Sequence, residues 1–423
     1  MERYSSYKVS GETWLGEIPS HWEIKRLGSY FCERRSKVSD KDYAPLSVTK
    51  NGILPQLENV AKSNDSGNRK MVCAGDFVIN SRSDRKGSSG VSPLDGSVSL
   101  INIVLEPRGK NLLADYCNYL LKSYSFIEEY YRNGRGIVAD LWTTRYDEMK
   151  SIKLSMPPLP EQRAIVKYLD RVTSDIDCAI EQSQRMIDLL NERKQIIIQH
   201  AVTKGLNPNA KLKNSGVEWI GEMPEGWKCL PVRRVAEVNP TRKKKLSPDA
   251  VVGYAPMGYI RNDNMQPLTS LLSRLSTGLT YCETNDIVLA KVTPCFENGN
   301  VAIVPKVEND CCFASSEIFV YRCGDKIESR FLLYYFQNKG FIDAGASTMQ
   351  GTGGLKRVTT EFAKNAFVPL PSLNEQKEII EYLDDYTKQI KSAIAATERK
   401  IALLRERKQI IINEVVTGKV KVS

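Results

Sequence analysis

Residues 161–203, EQRAIVKYLDRVTSDIDCAIEQSQRMIDLLNERKQIIIQHAVT, return 214 positions later as residues 375–417, EQKEIIEYLDDYTKQIKSAIAATERKIALLRERKQIIINEVVT, with the ERKQII block intact at 192–197 and 406–411. In the first copy apolar or small residues recur in steps of three and four: Ile165, Leu169, Val172, Ile176, Ile180, Ser183, Ile187, Leu190, Lys194, Ile197 and Ala201. The second copy keeps that register at Ile379, Leu383, Tyr386, Ile390, Ile394, Thr397, Ile401, Leu404, Lys408, Ile411 and Val415. A seam this narrow, sustained over about 40 residues, is the pattern of a coiled-coil pair and not of a helix lying on a globular core. Pro160 just before Glu161, and Ser372 three residues before Glu375 in capping-box spacing, mark the starts. Gly205 ahead of Asn207-Pro208, and Gly418, mark the stops. At about 1.5 Å per residue each helix spans roughly 60 Å. Identical registers favour mutual packing, and the shared block fits an antiparallel pair related by a pseudo-two-fold axis; two helices each lying on its own domain is the other arrangement the pattern permits.

A second repeat lies upstream of each helix. Residues 10–22, SGETWLGEIPSHW, and 215–227, SGVEWIGEMPEGW, agree at seven of thirteen positions and hold four of the five tryptophans of the chain. Such a motif is read as packing that pins each downstream body to the helices. Between motif and helix lie two such bodies, residues 23–157 and 228–370, with little residue identity; the whole stretch from motif to helix entry is nine residues longer in the second copy. Both contain short β-rich runs, Asp76–Ile79, Val98–Leu105, Asp286–Ala290 and Glu317–Tyr321, separated by Gly, Asn, Ser and Asp turns. Each ends in an aromatic-leucine stretch of helical character, Asp115–Phe126 and Ser329–Phe336. The expected class is therefore α+β: two similar mixed domains, 1–157 and 215–370, joined and separated by long helices at 158–203 and 371–423, with 204–214 as linker.

With 423 residues, two to four domains are expected, and 41% hydrophobic with 26% charged residues excludes wholesale disorder. No run of about 18 apolar residues occurs, and MERYSSYKVS has no signal-peptide core, so a soluble, cytoplasmic protein is expected. Ten cysteines are scattered without a Cys-x-x-Cys pair, and His21 and His200 are far apart, which argues against zinc. Cys295, Cys311, Cys312 and Cys323 read as small buried residues in apolar strands.

The formal charge is +10. Residues 161–200 hold six basic and seven acidic side chains and 375–414 eight of each, so the rest of the chain carries +11. In the first body the basic residues gather with glycine and polar turn residues around Lys50-Asn51, Arg82, Arg85-Lys86 and Arg135; in the second around Arg242-Lys243, Lys291 and Gly351-Thr352-Gly353-Gly354-Leu355-Lys356-Arg357. Arg, Lys and Asn supply the contacts that phosphates and base edges accept, and glycine lets backbone approach closely. Any one cluster reads more readily as a solvated loop than as a DNA contact; their number on duplicated bodies shifts the reading to nucleic acid. No GxxxxGK[ST] loop occurs, Asn239-Pro240-Thr241-Arg242 lacks the second proline and aromatic of an amino-methyltransferase motif, and Pro248-Asp249 has no suitably spaced Glu-x-Lys after it. A reader without catalytic residues or metal is expected.

Taken in order, the duplicated SGxxWxGExPxxW, body, PLPEQ-type entry and ERKQII helix resemble the specificity (S) subunits of type I restriction–modification enzymes over the whole chain. The resemblance implies two target-recognition domains, each reading one half of a bipartite double-stranded DNA site, with the helices as spacer and docking surface. It implies methyltransferase (M) subunits, two of them, as partners, and restriction (R) subunits. S-adenosylmethionine, ATP and Mg would then act on those partners and no cofactor on this chain. Matched onto this sequence, the spacer and subunit-contact regions are Glu161, Gln162, Arg193 and Lys194, and Glu375, Gln376, Arg407 and Lys408. Glu12-Thr13 stand where the second copy has Val217-Glu218, a small departure. A coiled-coil scaffold with no DNA role, and a self-contained nuclease or methyltransferase, are the competing classes. Replacing residues 23–157 by the body of another reader is expected to change one half of the methylated sequence and leave the other intact, as read by methylome sequencing.

Overall fold

The computed structural model describes residues 2–56, 67–109, 111–136, 142–352 and 354–422; Gly353, part of a basic cluster in the sequence, lies outside them. The chain forms two compact units, one of residues 1–184 with 398–423, the other of residues 185–397. The two long helices, Leu159–Lys204 and Leu373–Val416, each contribute a segment to both units.

In the first unit an antiparallel sheet runs in the order Ser89–Val91, Phe77–Asn80, Asn102–Pro107, Phe31–Glu33. Its inward residues, Phe77, Ile79, Ile103 and Leu105, pack on the helices Ala114–Leu121 and Tyr124–Arg132. The strand Lys153–Met156 pairs with Glu23–Arg26 and leads into the first long helix. There Ile165, Leu169 and Ile176 share a core with Ile411, Ile412, Val415 and Val416 from the end of the second. In the second unit the sheet order Ala236–Val238, Ile318–Cys323, Ile287–Ala290, Val301–Ile303 repeats the plan. Helices Ser329–Gln337 and Lys339–Ser347 cover it, and Lys228–Pro231 pairs with Phe367–Leu370. The core joins Ile379 and Leu383 to Ile198, Ala201 and Val202, so the start of each long helix packs beside the end of the other: the pair is antiparallel.

The same fasteners hold both bodies. Trp22 and Trp227 are buried, and their indole Nε1–H groups donate to Glu161 Oε1 at 3.1 Å and Glu375 Oε1 at 2.9 Å in the first turn of the helices. The side chain of Gln162, 1% exposed, accepts from Leu113 N (2.9 Å) and donates to the carbonyls of Asn111 (3.1 Å) and Pro157 (3.0 Å). Gln376 does the same with Glu328 N (2.8 Å) and the carbonyls of Lys326 and Pro371 (both 3.0 Å). Tyr119 Oη donates to Asp170 (2.8 Å) beside Thr173, and Tyr334 Oη to Asp384 beside Thr387. At the other helix ends Gly418 and Gly205 take φ of 74° and 75°, and a Cβ there would stand 3.2 Å from Trp22 and 3.1 Å from Trp227. The glycines thus stop the helices in a conformation that L side chains resist, against the two indoles.

Several expectations need correction. The helical stretch 115–126 is two helices, broken where Ser123 caps the second by accepting from Phe126 N, and Lys339–Ser347 is a helix not foreseen. The run Val98–Leu105 is not one strand: Gly96–Val98 ends on a turn and Asn102–Pro107 begins in a different sheet. Cys295 lies in a turn and is half-buried, as is Cys323 in its strand.

Gln162→Leu would take this partner from one amide N–H and two carbonyls, of which that of Pro157 is buried, at a cost of about 3 kcal/mol. Urea unfolding is expected to show the first unit destabilised by that amount and the second unit unchanged.

Candidate nucleic-acid interface

Two of the first body's basic clusters converge. Arg82 comes just after the central strand Phe77–Asn80, and Arg135 just after the helix pair; both make antiparallel bridges to Thr143. Arg135 N donates to Thr143 O at 2.8 Å and Thr143 N to Arg135 O at 3.0 Å. Trp142, the tryptophan outside the repeated motif, anchors this ribbon by donating from Nε1 to Tyr131 O at 2.6 Å. Arg135 is 84% exposed and 3.4 Å from Glu148, while Arg82 and Arg85 flank Asp84 at 3.6 and 4.0 Å. Lys86 turns the other way, to Glu128 at 2.7 Å over the Tyr131 ring. Lys50 and Asn51 form the tip of the hairpin Leu46–Thr49/Gly52–Pro55, where the Lys50 carbonyl accepts from Lys122. Among the described residues no hydrogen bond or ion pair joins that tip to the arginines.

The second body repeats the placement with different residues. Lys291 comes just after the equivalent strand Ile287–Ala290, and the hairpin Gln350–Thr352/Leu355–Arg357 just after the equivalent helix pair. The two meet through the Val292–Arg357 bridge, Val358 N donating to Lys291 O (2.8 Å), and Thr293 N donating to Lys356 O (2.9 Å). Arg357 makes a bidentate pair with Glu317 at 2.8 and 2.9 Å. Its hydrogen bonds and charge hold the Glu317 carboxyl below its ordinary value, against the opposing effect of burial. Lys356 is exposed, and so is Leu355 at the hairpin. Arg242 lies over the Phe313 ring and Lys243 is exposed, on a segment that no bridge ties to this hairpin among the described residues.

The structure adds residues the sequence did not single out for this surface: Thr143, Arg145 and Glu317. Arg145 and Thr143 line a groove of about 440 Å³ with Arg35, Lys70, Ser81 and Asp147. The order shared by both bodies (helix pair, ribbon, short helix, strand, long helix) was the available signal, because it puts a basic ribbon a short distance upstream of each long helix.

On the long helices, Glu161 and Glu375 are engaged by the tryptophans, and Gln162 and Gln376 are enclosed by the backbone groups they bind. Lys194 and Lys408 are half-buried in the seam, Lys408 bound to Asp177 at 2.6 Å. Arg193 and Arg407 are exposed, and the Arg193 guanidinium lies over the ring of Tyr386, a seam residue of the other helix. Around them Leu189 and Ile196 are 60% and 58% exposed, and Leu403 and Ile410 are 64% and 47% exposed. No helix among the described residues is long and apolar enough to cross a membrane.

Two bodies fastened alike, each with a basic ribbon beside its central strand, are the arrangement of a duplicated recognition module. Residues 19–185 and 224–400 each match the model of the type I restriction modification DNA specificity domain, and the chain belongs to that family. It is 34% identical to the EcoAI type I restriction enzyme specificity subunit of Escherichia coli over 164 residues, 38% of this chain but only 28% of that one. It is 23% identical to the MjaVIII specificity subunit of Methanocaldococcus jannaschii over 431 residues, 96% of this chain and 94% of that one. Its fold matches a chain solved in a study of type I R-M complex assembly and conformational transition, with a TM-score of 0.71 at 17% identity, covering 95% of this chain and 99% of the other. The HsdS subunit from Thermoanaerobacter tengcongensis matches with a TM-score of 0.53, covering 95% and 98%.

The Glu317–Arg357 pair can be checked directly. Carboxyl titration by NMR is expected to place Glu317 below the ordinary glutamate value and to move it back up in Arg357→Gln. The sign comes from the pairing: the charged carboxylate is the stabilised form, so its contribution is present above the ordinary pKa and is lost as pH falls through the depressed one.

Proposed function

We propose that this chain acts in the cytoplasm as the target-reading subunit of a type I restriction–modification complex, with each body binding one half of a bipartite double-stranded DNA site. The observation that carries the reading is the duplication itself: the fasteners are the same in both bodies and the basic ribbons differ. Equal fastening presents two surfaces in equivalent ways, and unequal ribbons make the two half-sites different. The long helices set the number of unread base pairs between them.

Within each surface the roles divide by how the side chain is held. Arg357, fixed bidentately by Glu317, offers a guanidinium edge in one orientation and suits a base edge; Arg82 and Arg135, whose backbones bridge to Thr143, are the arginines at the corresponding place in the first body. The exposed Lys356, Arg85 and Lys243 suit phosphates, as do Lys291 and Arg242, which lie over the Phe319 and Phe313 rings. The exposed Leu189, Arg193 and Ile196, and their repeat Leu403, Arg407 and Ile410, give two equal apolar faces rimmed by charge, one for each of two methyltransferase subunits. S-adenosylmethionine belongs to those subunits, and ATP and Mg to restriction subunits that join them.

Co-expression with methyltransferase subunits is expected to yield a stable complex that methylates adenine in one bipartite sequence, while this chain alone methylates nothing. Sequence-independent binding by the complex would favour a scaffold, and methylation by the lone chain would favour an enzyme. Within the complex, Lys356→Gln is expected to weaken DNA binding regardless of sequence and to lower the slope of log affinity against log salt by about 0.9. Arg357→Gln is expected to relax the preference at one base pair of the second half-site.

A further inference from the structure

The two units differ in one place where the repeat predicts that they should match. In the first, Lys408 Nζ binds Asp177 Oδ1 and Oδ2 at 2.7 and 2.6 Å across the helix seam. The repeat, offset by 214, puts Lys194 at the position of Lys408 and Lys391 at that of Asp177. In the second unit the seam therefore opposes two lysines. The acid comes from the body instead: Asp263, at the turn of the hairpin Ile260–Arg261/Asn264–Met265 with φ of 57°, accepts from Lys391 Nζ at 2.9 Å. Asp263 is also held by Arg330, which in turn binds Asp384 on the long helix at 2.8 Å. The Asp263 carboxylate is only 13% exposed, so its charge acts where water screens it less than at an open surface. Burial and the neighbouring Lys391 depress the Lys194 ammonium, and Asp263 opposes that depression.

We propose that Asp263 is a positioning residue that keys the second recognition body to its own place on the helix pair by supplying the negative charge which the seam supplies for itself in the first unit. This rests on the reading of the chain as a specificity subunit. Among the described residues of the first body none gives a carboxylate to Lys408, whose charge instead bears on Lys122, so a first-type body in the second position would leave Lys194 against Lys391. The bodies are consequently not interchangeable between positions unless the seam is changed with them.

The charge pattern dictates the test in the full-length chain with its methyltransferase partners. Asp263→Asn leaves two facing lysines, and Lys391→Asp sets Asp263 against a new carboxylate; each is expected to lower methylation of the bipartite site by about tenfold. The double variant Asp263→Asn/Lys391→Asp recreates the first unit's ion pair with Lys194 and is expected to return methylation to within about twofold of the parent, which loss of a merely structural aspartate would not do. A chain with residues 23–157 in place of 228–370 is expected to modify DNA with Lys391→Asp and not without it. Equal methylation by parent and Asp263→Asn, or a double variant no better than either single one, would overturn the proposal. If the parent itself marks no bipartite site, the reading as a specificity subunit falls. Hydrogen exchange on the purified chain then decides the key separately: the helix segment around Lys194 should lose about tenfold in protection in Asp263→Asn and regain it in the double variant, and unchanged protection refutes it.

Discussion

Each recognition body is held by one buried indole. Trp22 and Trp227 sit where the first turn of one long helix meets the end of the other, each giving its only hydrogen-bond donor to a glutamate at a helix start and packing its ring against a glycine at a helix end. A buried N–H must find an acceptor, and a negative side chain at a helix N-terminus is favoured there by the helix dipole. The contact therefore satisfies the indole, completes the helix start and fixes the antiparallel register together. The enclosed glutamines next in sequence then tie the helix start to the body through three backbone groups, which makes the orientation of the body on the helix a matter of hydrogen-bond geometry.

The long helices and the tryptophan motifs were legible in the chain because their constraints are local and periodic: a seam at steps of three and four, a capped start, a glycine stop. Every seam residue named from the sequence is buried or half-buried, and the hydroxyls among them, Ser183 and Thr397, bond to carbonyls one turn back at Ala179 and Ala393. The bodies were less legible because their sheets are assembled from strands of two to six residues, too short for periodicity to locate their ends. The break at Ser123 came from an N-cap, and the split at residues 99–101 from a change of sheet, neither of which alters local hydrophobicity.

For the candidate interface, the right loops were visible from charge and glycine content, but their grouping was not. Arg82 and Arg135 lie 53 residues apart in sequence and are joined by Thr143, a residue with no charge to announce it. Lys50 carries the same kind of signal and is placed beside Lys122 instead. Charge composition reports that a surface exists; only the bridges between strands report which charges share it. Glutamine has the converse problem: Gln162 and Gln376 stand in the repeated segment with the polarity of surface residues, and the structure encloses both.

The last turn of the second helix also bears on the order in which the molecule can be completed during synthesis. Residues 398–422 belong to the first unit: Val415 and Val416 enter its core, and Lys419 donates to the carbonyls of Leu15 and Glu17 at 2.7 and 2.6 Å. The second unit, residues 185–397, is entirely translated before those residues leave the ribosome. The unit encoded first is thus the last to close, and its apolar face must wait, exposed, through the translation of the other, a period of about 10–40 s at ordinary elongation rates.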